Sequence, residues 1–226
     1  MNNIIEIRNM QKYYSLGVDK IHVLKSINFS IVDGDFVMIL GKSGSGKTTL
    51  MNILGFLDDF DEGTYMFKQN DVTNLSENQR SGFRNNYIGF IFQQFQLIES
   101  LTVLQNVELP LIYNGEMCKR RRHQYIKEQL EILGLVDKLN QLPMELSGGQ
   151  QQRVAIARAL INNPCIIFAD EPTGALDSET GKEIMDILKN LNNNGKTIVM
   201  VTHDKDLKLY ANKIVSIQDG FLVQEE

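Results

Sequence analysis

A glycine-rich octapeptide carries the residue types that hold phosphate groups. Residues 41–48 read Gly-Lys-Ser-Gly-Ser-Gly-Lys-Thr and match the pattern G-x-x-x-x-G-K-[ST]. Its glycines let successive backbone N–H groups point at phosphate oxygens, and a helix that follows adds its positive N-terminus. Lys47 can neutralise the β- and γ-phosphates of a nucleotide, and the hydroxyl of Thr48 can join Mg²⁺. The octapeptide therefore predicts nucleotide binding, although kinases, GTPases and ATPases all use it.

A pair of adjacent carboxylates forms the second group that could do chemistry. Asp170 and Glu171 follow the apolar run at residues 166–169, which has the length and composition of a buried strand. At the carboxyl end of that strand, Asp170 can hold the Mg²⁺ shell through water. Glu171 can polarise the attacking water as a general base. A strand end capped by two solvated carboxylates is the alternative that this pair alone leaves open.

Residues 146–150, Leu-Ser-Gly-Gly-Gln, predict a second anion site. They precede a helix whose apolar face is marked by Val154, Ala157 and Leu160, so backbone N–H groups at its start can face an anion. One chain then has two phosphate-binding helix starts but one set of metal-binding carboxylates. We therefore expect a dimer in which each chain's second anion site covers the nucleotide held by the other. An ordinary Ser-capped, glycine-rich helix start is the alternative.

Three further polar residues complete the candidate set. Gln93 follows the predicted strand at residues 88–92, so its amide can reach metal and water. His203 follows the strand at residues 197–201, and its ring can approach the γ-phosphate and sense its loss. A lone Gln or His is more often a polar loop residue or a structural side chain. Asp177 is expected to act across the dimer interface, with capping of the following helix as its alternative.

Strands and helices must alternate along the chain to position these side chains. Apolar runs that predict buried strands occupy residues 36–40, 166–169 and 197–201. With helical patterns between them, they indicate a parallel sheet with crossover helices. Residues 94–162 differ, because they lack buried strands and carry helical patterns such as Ile126, Leu130 and Leu133. We interpret this part as a helical subdomain inserted into an α/β core.

Local patterns predict three more details of the fold. Residues 4–7 alternate between apolar and polar types and predict a strand near the edge of a sheet. Thr180 and Glu183 have the spacing of a capping box at the start of a helix. Asp219 and Gly220 separate two short apolar runs and predict the turn of a closing hairpin.

Composition narrows the classes of function. Of 226 residues, 23 are Lys or Arg and 28 are Asp or Glu, and the formal net charge of −5 argues against a nucleic-acid binder. No stretch approaches the roughly 18 apolar residues of a membrane span, so we expect a membrane role to come through a partner chain. Cys118 and Cys165 lack metal or redox spacing, which indicates a reduced cytoplasmic compartment. We interpret the basic residues 119–122 as a solvated helix start, with contact to anionic lipid or a membrane partner as the alternative.

Taken together, these motifs resemble the ATP-binding subunits of ABC transporters along essentially the whole chain. The resemblance implies a P-loop NTPase (RecA-like) α/β core with an antiparallel β subdomain and an inserted α-helical subdomain. It implies one ABC ATPase domain over residues 1–226, with the core at 1–93 and 163–226 and the helical subdomain at 94–162. It further implies ATP and Mg²⁺ as cofactors and a membrane permease as partner. ATP would drive homodimerisation of the ATPase subunit at the cytoplasmic face of the membrane.

The resemblance also gives each motif a role. Residues 41–49 match the Walker A motif, 146–150 the signature motif, 170–171 the end of Walker B, 174–177 the D-loop, Gln93 the Q-loop and His203 the switch histidine. Tyr14 lies where the family places an aromatic side chain that stacks on adenine, with Tyr13 as the alternative. The implied catalytic residues are Glu171, His203, Lys47 and Gln93. The implied metal-binding residues are Thr48, Gln93 and Asp170. The implied nucleotide-binding residues are Tyr14, Gly41, Lys42, Ser43, Gly44, Ser45, Gly46, Lys47, Thr48, Thr49, Ser147, Gly148, Gly149, Gln150 and Asp177.

Finer features resemble one branch of the family. Residues 89–97 and 106–111 are similar to the macrolide-export and lipoprotein-release branch, which includes ATPases of antimicrobial-peptide resistance transporters. Lys42 departs from the small residue common at its position, and we expect its side chain to point away from the phosphates. The complete signature and carboxylates predict an active ATPase. A force-transmitting regulator of cell-envelope processes, with no transported substrate, is the alternative. The acidic charge disfavours a soluble ABC ATPase of DNA repair or translation.

Overall fold

A computed structural model describes residues 2–17, 19–115 and 117–224 of the chain. The strands are β1 (Asn3–Leu16), β2 (Asp19–Val32), β3 (Phe36–Leu40), β4 (Glu62–Phe67), β5 (Asn70–Asp71), β6 (Ile88–Phe92), β7 (Ile166–Asp170), β8 (Thr197–Thr202), β9 (Lys213–Gln218) and β10 (Phe221–Gln224). The α-helices are α1 (Lys47–Leu54), α2 (Glu77–Tyr87), α3 (Val103–Asn114), α4 (Lys119–Ile132), α5 (Gly148–Leu160) and α6 (Ser178–Asn193). Short 3₁₀ turns occupy Val136–Lys138, Pro143–Glu145 and Asp206–Tyr210.

These elements group into two units. One falls within Met1–Gly82 and Leu191–Glu226, and the other falls within Phe83–Asn190. The chain passes from the first unit to the second within α2 and returns within α6. Across the described residues, no helix combines the length and the apolar character that spanning a bilayer requires.

The first unit contains an antiparallel sheet in the strand order β2-β1-β4-β5. The prediction that residues 4–7 lie near an edge is confirmed, because β1 pairs with the edge strand β2 on one side and with β4 on the other. Ile5 and Ile7 are buried in this sheet. Ile4 is buried as well, so adjacent residues on opposite faces of the strand are both covered.

Strands of the nucleotide-binding core also belong to the first unit. Here β3 pairs in parallel with both β8 and β9, and every residue of β3 and β8 is buried. Continuous apolar strands are expected where a parallel sheet is covered on both faces. The predicted closing hairpin is confirmed, because β9 and β10 pair antiparallel around Asp219 and Gly220. Both turn residues have positive φ, 49° and 83°, as a tight two-residue hairpin turn requires.

The second unit joins a parallel strand pair to packed helices. Strands β6 and β7 run parallel, and Phe92 lies in register with Asp170. Helices α3, α4 and α5 share a buried cluster that includes Val107, Leu130 and Val154. In the described part of residues 94–162 all regular secondary structure is helical, as the pattern predicts. The exact bounds of a helical subdomain remain a prediction.

Two helix starts in the second unit bear on the sequence predictions. The predicted capping box of Thr180 and Glu183 is wrong, because α6 begins at Ser178 and Thr180 already lies in its first turn. Glu183 instead pairs with Arg153 at 2.5 Å. At the start of α4, Lys119, Arg120 and Arg121 are exposed, as a solvated helix start requires. The fourth basic residue, Arg122, donates to a Glu108 carboxylate oxygen at 2.9 Å.

Candidate active site

The phosphate loop joins β3 to α1 in the first unit. Gly46 caps α1 in the left-handed conformation, with φ of 104°, which favours glycine. A side chain there would also lie 3.1 Å from the carbonyl oxygen of Val23. At Gly41 a Cβ would lie 2.7 Å from the carbonyl oxygen of Ile217. The loop therefore needs glycine at these two positions for backbone conformation and for space.

Carbonyl oxygens of the phosphate loop hold the side chain of Lys47. The residue is only 8% exposed, and its ammonium donates to the carbonyl oxygens of Gly41 at 2.8 Å and Lys42 at 2.9 Å. The side chain of Lys42 is exposed, and so is Thr48, the next residue of α1. The buried cation thus stands at the start of a helix, where the helix dipole and the N–H groups also favour an anion.

A cleft of about 810 Å³ opens beside the loop. Residues 41–45 line one part of it, and His22 on β2 and His203 after β8 line others. The structure therefore brings the exposed His203 to the phosphate loop, where the sequence predicted a residue that contacts the γ-phosphate. The cleft has the size typical of a small-molecule site.

Tyr14 lies at the end of β1 with 39% of its surface exposed. Its hydroxyl donates to Oδ2 of Asp58 at 2.5 Å, and the ammonium of Lys12 lies 4.9 Å from its ring centroid. Burial first, and then the bond to Asp58, raise the pKa of Tyr14 above its ordinary value. The ring is therefore held at its hydroxyl by Asp58 and on one face by Lys12.

Tyr13, the alternative for adenine stacking, faces a different neighbour. Its ring stacks on the imidazole of His22, with centroids 4.2 Å apart and an interplanar angle of 18°. Its hydroxyl donates to the side-chain oxygen of Gln11 at 3.1 Å. One face of each tyrosine ring is thus covered by another side chain, by His22 for Tyr13 and by Lys12 for Tyr14. The choice of Tyr14 as the adenine platform remains a prediction.

The second unit brings Gln93, Asp170 and Glu171 together at neighbouring strand ends. Phe92 and Asp170 are the paired last residues of β6 and β7. Gln93 and Glu171 therefore follow directly after these two strand ends. The N–H of Gly174 donates to the carbonyl oxygen of Glu171 at 3.0 Å, and a Cβ at Gly174 would lie 2.8 Å from Nε2 of Gln93. Glu171 has a φ of 46°. A non-glycine residue in this left-handed region stores strain of the kind that clusters at functional sites.

The predicted metal-binding side chains suit Mg²⁺ by their chemistry. A hydroxyl from Thr48, an amide oxygen from Gln93 and a carboxylate from Asp170 are hard oxygen donors, which this ion prefers. Thr48 belongs to the first unit, whereas Gln93 and Asp170 belong to the second. A Mg²⁺ site shared by these three side chains remains a prediction.

The Leu-Ser-Gly-Gly-Gln segment forms the start of α5. Ser147 is its N-cap, and Ser147 with Gln150 forms a reciprocal capping box. A Cβ at Gly149 would clash with Cγ2 of Thr180, and one at Gly148 would lie 3.3 Å from Cδ2 of Leu176. These glycines therefore allow α5 to approach the start of α6. The segment is a Ser-capped helix start, and its binding of a second anion remains a prediction.

Asp177 caps α6. Its Oδ1 accepts from the backbone N–H of Thr180 at 3.0 Å, and its Oδ2 accepts from the Thr180 hydroxyl at 2.7 Å. The N–H bond first, and the hydroxyl bond second, lower the pKa of Asp177 below its ordinary value. The structure thus places Asp177 in the capping role that the sequence left open, and a role across a dimer interface remains a prediction.

Sequence reasoning missed Gln152, which is fully buried on α5. Its amide donates to the carbonyl oxygen of Pro172 at 2.6 Å and to that of Phe92 at 3.4 Å. Phe92 immediately precedes Gln93, and Pro172 immediately follows Glu171, so one side chain ties α5 to both strand ends. The sequence does contain a signal of this burial. Gln152 precedes the apolar Ile156 by four positions and Ala159 by seven, so it lies on the buried face of the helix.

Comparisons with known proteins agree with this geometry. A sequence model described as ABC transporter matches residues 24–174. An uncharacterized ABC transporter ATP-binding protein of Methanocaldococcus jannaschii, MJ1508, is 53% identical over 98% of each chain. The macrolide export ATP-binding/permease protein MacB of Aggregatibacter actinomycetemcomitans is 50% identical over 99% of this chain, which spans 34% of the length of MacB.

A solved structure supports the fold independently. It is the dimeric post-hydrolysis state of the ATP-binding cassette MJ0796 bound to ADP and Pi. It matches with a TM-score of 0.90 and 46% sequence identity, over 98% of this chain and 97% of that chain. The α/β fold with an antiparallel sheet and an inserted helical part is therefore confirmed.

Proposed function

The chain belongs to the ABC transporter family, and we propose that it is the ATP-hydrolysing subunit of a transporter in the macrolide-export and lipoprotein-release branch. The observation that carries the proposal is that one chain contains two glycine-containing helix starts, those of α1 and α5. Gly46 caps α1 behind the phosphate loop, and Ser147 caps α5 just before two glycines. Asp170 and Glu171 provide the carboxylates for a metal ion and for water.

We assign the nucleotide to the phosphate loop and its adjoining cleft. Lys47, which donates to the carbonyl oxygens of Gly41 and Lys42, can transfer those bonds to the β- and γ-phosphate oxygens. The exchange favours binding because an ion pair with phosphate replaces two neutral acceptors. Backbone N–H groups of residues 41–49 surround the phosphates. Tyr14 is the proposed platform for adenine.

We assign the general base of ATP hydrolysis to Glu171. Its carboxylate takes a proton from water as the water oxygen attacks the γ-phosphorus, and the bond to the ADP oxygen breaks. When bound, Mg²⁺ would neutralise charge on the β- and γ-phosphates, held by Thr48, Gln93 and Asp170. His203, which lines the cleft at the phosphate loop, donates to the γ-phosphate oxygens. Such catalysis is mainly positioning and electrostatics, so the loss of one group should be severe.

The working unit of this ATPase is a dimer. We propose that Ser147 and the N–H groups of Gly148 and Gly149 complete the partner's nucleotide site, with Asp177 near the same interface. The dimeric arrangement of MJ0796 with ADP and Pi supports this assembly, since that cassette matches the chain over nearly its full length. Two MgATP would hold the dimer closed, and release of phosphate would open it.

The membrane partner is proposed to be a permease. The name of MacB gives both an ATP-binding and a permease function to one protein, and this chain spans 34% of the length of MacB. We infer that the ATPase sits at the cytoplasmic face of the membrane and moves the permease when its dimer opens and closes. That partner would determine which class of cargo is moved, whether macrolide, lipoprotein or antimicrobial peptide.

The test replaces the proposed general base. Glu171→Gln should keep ATP binding, reduce phosphate release to near background and stabilise a dimer in ATP and Mg²⁺, measured by sedimentation. Glu179→Gln, at an exposed carboxylate in the first turn of α6, is the matched control and should hydrolyse ATP normally. Turnover by Glu171→Gln at the wild-type rate would show that Glu171 is not the base.

A second experiment separates transport from force transmission. The chain is co-purified with the permease encoded beside it and reconstituted in vesicles, and ATP turnover is measured with peptide, macrolide or lipoprotein added. Stimulation together with ATP-dependent movement of one cargo supports the transporter. Stimulation by a cell-wall hydrolase, without movement of any cargo, supports a regulator of cell-envelope processes instead.

A further inference from the structure

Tyr14, Asp58 and Lys12 form a closed group of contacts in the first unit. The Tyr14 hydroxyl donates to Oδ2 of Asp58 at 2.5 Å, and the Lys12 ammonium donates to Oδ1 of the same carboxylate at 2.9 Å. The same ammonium lies 4.9 Å from the centroid of the Tyr14 ring. Each member therefore contacts both of the others.

The backbone around Asp58 is fixed along β1 by separate bonds. The N–H of Asp61 donates to the carbonyl oxygen of Gln11 at 2.9 Å, and a carboxylate oxygen of Asp61 accepts from the N–H of Tyr13 at 2.7 Å. The Gln11 amide also donates to Glu62 at 2.6 Å. The turn after α1 is thus bonded to residues on both sides of Lys12, so the Asp58 carboxylate projects from an anchored segment.

Burial makes the ionic contact in this group stronger than one at an open surface. The Lys12 side chain is 10% exposed and the Asp58 side chain 29% exposed. A desolvated ion pair is retained only where both charges are well hydrogen-bonded, and breaking one partner leaves an unpaired buried charge. The Tyr14 hydroxyl supplies one of the bonds that the Asp58 carboxylate needs.

We propose that Asp58 and Lys12 are positioning residues that orient the Tyr14 ring to receive adenine. The proposal rests on the assignment of Tyr14 as the adenine platform made above. A ring bonded at its hydroxyl and covered on one face by an ammonium has a single face left for a base. Orienting it before ATP arrives reduces the entropy that binding would otherwise lose.

Position and charge both favour this role. Asp58 lies in the segment that follows α1, the helix that begins at the phosphate loop, so the Tyr14 hydroxyl is bonded to the part of the chain that leaves this helix. A cation over an aromatic face is attracted by its π electrons. Lys12 thereby favours one ring orientation, and it draws electron density away from the face where an electron-rich purine would stack.

The experiment compares two ligands on the full chain. ATP contains the base, whereas inorganic tripolyphosphate carries only the phosphates, and both are titrated with Mg²⁺ by calorimetry. Tyr14→Phe removes the hydroxyl bond alone, and Asp58→Asn removes the charge that holds Lys12. We expect each to weaken ATP binding about two- to tenfold, the range set by one hydrogen bond, with tripolyphosphate affinity unchanged. Asp71→Asn, an exposed carboxylate on β5, is the matched control and should change neither affinity.

Tyr14→Ala separates this proposal from the assignment on which it rests. If Tyr14→Ala leaves ATP affinity unchanged, Tyr14 is not the adenine platform and the earlier assignment fails. If Tyr14→Ala weakens ATP binding while Tyr14→Phe and Asp58→Asn do not, the platform stands and the positioning role is overturned. An equal loss of ATP and tripolyphosphate affinity in Asp58→Asn also overturns it, because the effect would then arise at the phosphate loop.

Discussion

Ser147 and Gln150 cap helix α5 reciprocally. The Ser147 hydroxyl accepts from the Gln150 backbone N–H at 3.3 Å, and the Gln150 side-chain oxygen accepts from the Ser147 backbone N–H at 2.9 Å. The residue proposed to meet the partner's nucleotide therefore also holds a helix of its own chain. Substitutions at Ser147 must be chosen so that the two roles are tested separately.

The first prediction separates helix capping from dimer formation. Ser147→Asp keeps a good N-cap but places a negative charge where the partner's γ-phosphate would bind. We expect its unfolding free energy to match that of the wild type. ATP should still bind at Lys47, but ATP-dependent dimerisation should be lost. Ser147→Ala should lose about 0.5–2 kcal/mol of stability through the missing cap. Urea unfolding and sedimentation with ATP and Mg²⁺ measure the two effects, and an ATP-bound dimer of Ser147→Asp would contradict the proposed interface.

The second prediction concerns the close approach of Gly149 and Thr180. A side chain at Gly149 would clash with Cγ2 of Thr180, so Gly149→Ala should cost about 1–3 kcal/mol of unfolding free energy. Thr180→Ser removes that methyl and keeps the hydroxyl that Asp177 accepts from. The double variant should therefore recover most of the loss, giving a coupling energy of about 0.5–3 kcal/mol.

A matched glycine controls for helix propensity in that experiment. Gly82 lies within α2, and a Cβ there would meet no atom within 4 Å. Gly82→Ala should raise stability by about 0.4–1 kcal/mol. If Gly149→Ala and Gly82→Ala behave alike, the contact with Thr180 does not limit the position.

The third prediction tests Gln152 as the link between α5 and the catalytic strand ends. Gln152→Leu removes its bonds to the carbonyl oxygens of Phe92 and Pro172, and we expect a loss of about 1–3 kcal/mol of stability. Because these carbonyls flank Gln93 and Glu171, kcat should fall while KM for ATP changes little. Steady-state phosphate release measures both constants, and a loss of stability with an unchanged kcat would confine Gln152 to a packing role. Gln124→Leu, at an exposed amide on α4, is the control.

Much of the candidate site could be predicted from the sequence, because its motifs are local. The phosphate loop, the acidic pair and the strand ends before Gln93 and His203 all depend on residues within a few positions of one another. Periodicity shows which face of an element is buried, and it placed β3, β7 and β8 correctly. The family resemblance supplied the roles, which remain predictions for individual residues.

Features that the sequence did not reveal depend on contacts between distant residues. Lys12 and Asp58 are 46 positions apart, and neither residue type has a spacing that indicates their ion pair. Gln152 contacts carbonyl groups, which no side-chain pattern encodes. The helix start at Asp177 was placed three residues too late, because Thr180 with Glu183 and Asp177 with Thr180 are both acceptable local caps.

The final prediction uses the pKa of Asp177. Its bonds from the N–H and the hydroxyl of Thr180 lower that pKa below the ordinary value of an aspartate in the folded chain. A carboxyl group with a depressed folded pKa stabilises the fold above its unfolded pKa, and that contribution is lost as pH falls through the folded value.

Asp177→Asn keeps an acceptor for the N–H but lacks the charge that favours a helix N-terminus. The wild type should therefore melt above Asp177→Asn at neutral pH, and the difference in Tm should shrink as pH falls below about 4. Asp19→Asn, at an exposed carboxylate at the start of β2, should show no such convergence. A Tm difference for Asp177→Asn that is constant down to about pH 2.5 would contradict the capping role of the charge.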